Sequence, residues 1–117
     1  AVALTTNTSN LTCIGNDYGY DEIFSRQLNA IAKSDDSLIV YTTSGNSKNI
    51  ISLLKEAKNK VRHIIALTGN NTENIIDYCD VIISVDSVST TKIQELHAIA
   101  GHILCECVEK NIFEANE

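Results

Sequence analysis

A doubly wound α/β sandwich, a parallel sheet with helices on both faces, is the fold the sequence predicts. Short, nearly continuous β-branched apolar runs alternate with stretches of helical apolar spacing. Such alternation implies right-handed βαβ crossovers and a three-layer α/β/α unit of the flavodoxin or Rossmann kind. No linker, repeat or low-complexity segment divides the 117 residues, and with no proline the turns fall to Gly, Asn and Asp. One continuous domain around one core follows.

The elements are read in chain order. Val2 to Leu4 is an apolar run without a preceding cap or polar lead, read as a buried strand that the chain enters part-way, as a piece of a longer domain would. Phe24, Leu28 and Ile31 have helical spacing, and Leu38 to Tyr41 is the second strand. Ile50, Leu54 and Ala57 mark the next helix, His63 to Leu67 the third strand, Ile75 and Cys79 a short helix, and Val81 to Val85 the fourth strand. A long last helix carries Ile93, Leu96, Ala100, Ile103 and Cys107 on one stripe.

Charge and composition exclude several classes of partner. Nine Lys plus Arg against 15 Asp plus Glu give a net charge of −6, and no basic cluster with interleaved aromatics offers a nucleic-acid footprint. No apolar run approaches the ~20 residues of a bilayer span, and the start lacks the regions of a signal peptide. A soluble, cytoplasmic protein is the expectation. Cys13, Cys79, Cys105 and Cys107 have no CxxC spacing and are read as free thiols used as small apolar residues.

The stretch YTTSGNSKNI, residues 41 to 50, is where chemistry enters. In open α/β sheets ligands bind beyond the carboxyl ends of strands, where the next helix presents its first N–H groups. Ser47 suits the N-cap of a helix starting near Lys48, and Gly45 lets backbone approach a ligand. Thr42, Ser44 and Ser47 have hydroxyls for a phosphate, and amides from Gly45 to Ser47 complete a cradle aided by the helix dipole. A plain capped turn is the competing reading of the same residues.

TTSGNS after a buried strand resembles the STSGNS phosphosugar-binding loop of the sugar isomerase (SIS) domain family. ALTTNTSNLTCIGNDYGYDEIFSRQ at 3 to 27, ALTG at 66 to 69 and KIQELHAIAGHILCE at 92 to 106 are similar to the phosphoheptose isomerases of that family. The resemblance covers the later part of such a domain. Members usually begin with helices that build the dimer, then a strand with a GNGGS loop and a helix bearing an active-site His and Glu, none of which is in this sequence. The implied activity is isomerisation of D-sedoheptulose 7-phosphate to D-glycero-D-manno-heptose 7-phosphate, a precursor of envelope or capsule heptose. The implied assembly is a homotetramer with sites between subunits, so that isolated monomers lack activity.

Residue by residue, the resemblance implies that His102 is the catalytic histidine. Gln94 matches a substrate-side glutamine that ligates zinc with that histidine in some members. Thr42, Ser44, Gly45, Asn46 and Ser47 hold the phosphate, Asn7 a sugar hydroxyl, and Thr90 contacts the sugar chain. Gln94 and His102, eight residues apart, are separated by ~12 Å of rise and ~80° of rotation, so a metal could join them only if the side chains lean together or other subunits add ligands. His97 is read as a helix–helix contact, His63 as a surface-edge residue, and Glu95, Glu106 and Glu109 as a solvated or subunit-facing side.

Three departures from the family pattern stand out. Asn7 replaces a frequent Asp and loses its charge; Thr42 replaces Ser and keeps its hydroxyl; NNTEN replaces a glycine-rich turn, which bears on substrate identity more than on fold. The alternative is a non-catalytic SIS protein, such as the family's replication-initiator-binding regulator, for which a histidine at 102 has no chemical requirement.

Overall fold

The computed structural model describes residues 1–113. Helix α1 spans Thr8–Asp17, a single 3₁₀ turn Tyr20–Glu22, and α2 Ser25–Ile31. Strand β1 (Ser37–Tyr41), helix α3 (Lys48–Ala57), strands β2 (His63–Thr68) and β3 (Val81–Ser84) and helix α4 (Thr90–Phe113) follow. The sheet is parallel in the order β1-β2-β3, with Leu38 opposite Ile64, Val40 opposite Ala66, and Ala66 opposite Ile82. The predicted α/β architecture is present, with the three layers α2/α3, sheet and α4.

Alternation along the strands sorts their side chains between two faces. Leu38, Val40, Ile64 and Ala66 turn to one side and pack with Leu28, Leu53, Leu54, Ala57 and Ile75 as the core. Burying such side chains stabilises by roughly 1.5–3 kcal/mol each. Ile39 and Tyr41 turn to the other side, where Ile39 and Val81 stay about half exposed because α4 reaches only the carboxyl end of the sheet.

Several expectations need correction. Val2 to Leu4 forms no strand: an apolar groove of about 470 Å³ separates residues 1–5 from the outer edge of β1, so the run has no ladder partner among the described residues. Buried Gln27 holds the segment instead, donating from Nε2 to Leu4 O (3.0 Å) and Ile23 O (2.7 Å). Residues 72–78 make successive turns rather than a helix, with Ile75 fully buried as their anchor. Helix α1, which the sequence did not announce, buries no residue and starts where Asn7 Oδ1 accepts the Asn10 N–H at 3.0 Å.

The apolar stripe of α4 is covered at its first residue, Ile93, and largely uncovered beyond it. Only Ile93 and His97 of its 24 residues are buried, while Leu96, Ile99 and Ile103 are about half exposed. At Leu96 and Ile103 the stripe records a demand for cover that no described residue fully meets.

All four cysteines are free thiols, but only Cys79 packs against the core, the other three being exposed. Burial, with the Asp80 carboxylate second, pushes the Cys79 thiol up. A hydrogen bond to the Asp17 carboxylate, with its charge, raises that of Cys13.

Candidate active site

The site grows from the carboxyl end of β1. Thr42 N–H donates to Leu67 O at 2.9 Å, extending the ladder by one residue before the chain turns. Thr42 is buried, and its Oγ1 accepts the Gly45 N–H at 3.3 Å; Ser44 Oγ accepts the Asn46 N–H at 3.2 Å. These two bonds close the loop on itself. Ser47 is the N-cap of α3 by backbone position, yet its hydroxyl makes no capping bond, so that hydroxyl is available at the positive end of the helix.

Two glycines weld this loop to the turn after β2. Gly45 has φ +62°, and a Cβ there would stand 2.1 Å from Asn71 O. A Cβ on Gly69 would stand 2.5 Å from Thr43 O and 2.8 Å from the Cδ1 of Ile93. Gly69 N–H donates to Thr43 O at 3.2 Å, Thr68 Oγ1 to Asn71 O at 3.3 Å, and Asn74 Nδ2 to Asn46 Oδ1 at 3.2 Å. Asn71 and Asn74, from the turn that departs from the family pattern, are thus part of the loop's support.

Helix α4 forms the opposite wall. Gln94, His97, Ala98, Gly101 and Cys105 recur at helical spacing and, with His102, face Tyr41, Thr42, Thr43 and Ser47 across an open cleft of about 660 Å³. Of the sequence-predicted residues, Thr42, Ser47, Gln94 and His102 are brought to this cleft. Ser44, Gly45 and Asn46 belong to the same loop without lining the cleft, while Thr90 begins α4 and Asn7 caps α1 away from it. Tyr41, Thr43, His97, Ala98, Gly101 and Cys105 escaped the sequence reading. The i, i+3/i+4 spacing from Gln94 was the signal for the helical ones.

His97 is a contact between helix and sheet, not between helices. It is 5% exposed, its Nε2 lies 3.1 Å from Thr68 O, and its ring meets that of Tyr41 edge-on at 5.9 Å. A carbonyl only accepts, so Nε2 carries the proton. His63 is exposed at the start of β2, and Glu95, Glu106 and Glu109 are exposed, as expected, with Glu106 paired to Lys110 at 2.8 Å.

Among the described residues no Lys or Arg lines the cleft; an anion there would be held by hydroxyls, amides and the α3 dipole. For a metal, Gln94 and His102 offer two donors, and no group of three His, Cys, Asp or Glu among the described residues could hold one. That falls short of the three protein ligands of a catalytic zinc site, and no step below runs through a metal.

Comparison with known proteins adds an independent line. The SIS domain pattern matches residues 1–69. The phosphoheptose isomerase of Burkholderia pseudomallei (strain K96243) is 50% identical over 113 residues, covering 97% of this chain and 57% of that protein. That of Sulfurimonas denitrificans is 50% identical over 97% of this chain and 58% of its own length. The solved structure of a phosphoheptose isomerase from Neisseria gonorrhoeae superposes with a TM-score of 0.89 at 44% identity, over 94% of this chain and 61% of that one. A Francisella tularensis phosphoheptose isomerase gives 0.87 at 38% identity. The chain thus spans less than two thirds of each.

Proposed function

The chain belongs to the SIS domain family, and from that premise we propose that the protein it comes from is an aldose–ketose isomerase acting on D-sedoheptulose 7-phosphate. The product is D-glycero-D-manno-heptose 7-phosphate, a precursor of heptose-containing lipopolysaccharide or capsule. The observation that carries this reading is the meeting of the hydroxyl loop with Gln94 and His102 across one cleft. A phosphate bound by Thr42, Ser44, Ser47 and the amides around Gly45 leaves the sugar chain to extend toward Gln94 and His102 on α4. Asn7 and Thr90 lie outside the cleft, and a sugar contact from either is proposed only as one supplied in the assembled protein.

The chemistry is then a proton transfer between neighbouring carbons. A base takes a proton from C1 of the ketose while an acid protonates the C2 oxygen, giving an enediol; a proton returned to C2 and one lost from the C1 hydroxyl give the aldose. His102 serves as one of these groups. Its partner, and the further ligands a zinc ion on Gln94 and His102 would need, come from polypeptide outside these residues or from another subunit. Residues 1–117 are read as the C-terminal part of a longer SIS domain. The replication-regulator alternative gives His102 nothing to do.

A coupled assay of sedoheptulose 7-phosphate isomerisation on the full-length protein tests the reading: turnover is expected, and its absence with phosphosugar binding intact would return the protein to the non-catalytic class. The proposed location is the cytoplasm; no described helix is long and apolar enough to cross a membrane. The proposed assembly is a homotetramer, supported by the uncovered Leu96, Ile99 and Ile103 on α4. Ile99→Asp with Ile103→Asp is expected to reduce the sedimenting mass of the full-length protein, and an unchanged mass would remove that surface from the interface.

A further inference from the structure

We propose that His97 is a positioning residue, setting His102 against the hydroxyl loop by fixing how α4 is seated on the sheet. The kinetic part of this proposal rests on the isomerase reading.

Helix α4 runs for 24 residues, about 36 Å, yet only Ile93 and His97, about one turn apart, are buried. Ile93 gives that turn an apolar contact over Gly69, and one apolar contact fixes rotation about the helix axis less tightly than a directed hydrogen bond. His97 supplies direction. Among the described residues, its Nε2–H to Thr68 O is the one side-chain hydrogen bond between α4 and the sheet. The accepting carbonyl is itself fixed, since it also takes the Val85 N–H at 2.9 Å where β2 and β3 part.

An imidazole buried without a partner would be destabilising, so the helix is held in the rotation that keeps this bond. Tyr41 adds a second constraint, its ring edge-on to His97 and its Oη where a Gly101 Cβ would come within 2.9 Å. The absence of a side chain at Gly101 lets α4 lie against Tyr41.

His102 follows His97 by five residues, about 7.5 Å along the axis and ~140° around it. A rotation of α4 by ~20° would carry a side chain at ~5–6 Å radius through about 2 Å. A misplacement of ~1 Å is enough to cost on the order of a hundredfold in rate. The substrate's phosphate, held by the loop on the other wall, would be little affected.

The test uses the full-length protein with H97L, H97Q, G101A and the pair Y41F/G101A. Glutamine places an amide N–H near where the imidazole Nε2 was, so H97L is expected to lose kcat by about a hundredfold with KM nearly unchanged, and H97Q to recover most of it. G101A is expected to lose kcat by displacing Tyr41, and Y41F to restore it, because the next ring atom is 3.8 Å from the added Cβ. Independently of turnover, the ring resonances of His102 should shift in H97L and return in H97Q. Wild-type kcat in H97L, equal loss in H97Q, KM rising in step with the loss, or unmoved His102 resonances in a folded H97L would each overturn the proposal. Absence of turnover in the unmodified protein would count against the isomerase reading alone, leaving the resonance measurement to decide on His97.

Discussion

Turnover of sedoheptulose 7-phosphate by the full-length protein is expected to fall by about 10²–10⁴-fold when His102 becomes alanine, while the sugar phosphate still binds. The two effects separate because they live on different elements. The hydroxyl loop hangs from β1 and is closed by its own bonds, Gly45 N–H to Thr42 Oγ1 and Asn46 N–H to Ser44 Oγ. His102 stands on α4 across the cleft, exposed and outside the buried turn that seats the helix. On the proposed mechanism its truncation removes a proton-transfer group, and it opens no cavity in the core. Calorimetric titration with the product, alongside rates, checks the pair of outcomes. Wild-type turnover would remove His102 from the chemistry, and joint loss of turnover and affinity would make it a binding residue.

How much could be read beforehand follows from what each signal physically reports. The runs at Leu38 and His63 were legible as strands because both lie in a ladder and bury alternate side chains in the core. Val2 to Leu4 has the same composition, but a strand needs a partner edge, and pairing is not a property of three residues. Helix α1 was silent because it buries nothing. The stripe on α4 is legible as apolar, but periodicity names the face that seeks cover, not what covers it. The face that meets the sheet was chosen by one polar contact, His97 to Thr68 O, which periodicity scores as a defect.

The hydroxyl loop was legible as a turn between β1 and α3, and two of its hydroxyl residues, Thr42 and Ser47, line the cleft. Its support was not. Nothing local in TTSGNS says that Gly45 lies against a carbonyl 26 positions later, or that Gly69 lies against Thr43. The NNTEN turn, read as a departure bearing on substrate choice, also meets the loop: Gly45 lies against Asn71 O, and Asn74 Nδ2 donates to Asn46 Oδ1.

That support makes Gly45→Ala the most damaging single methyl in the molecule, expected to abolish measurable phosphosugar binding and to lower thermal stability. Two costs add. The left-handed backbone at φ +62° costs an L-residue about 1–2 kcal/mol. The Cβ would also stand 2.1 Å from Asn71 O, a backbone atom that cannot swing away as a side chain would. Forcing backbone apart costs a further ~1–3 kcal/mol, and the movement separates the two turns that the Gly69 N–H to Thr43 O and Asn74 Nδ2 to Asn46 Oδ1 bonds hold together. Once the loop lifts, Thr42 and Ser47, which line the cleft, are displaced from it. Gly19→Ala is the control: Gly19 also has positive φ, at +96°, but a Cβ there would meet nothing within 4 Å. Both variants should melt earlier than the parent, and only Gly45→Ala should lose the ligand. Equal ligand affinity in the two variants would mean that the weld between the loop and the 69–74 turn does not shape the site.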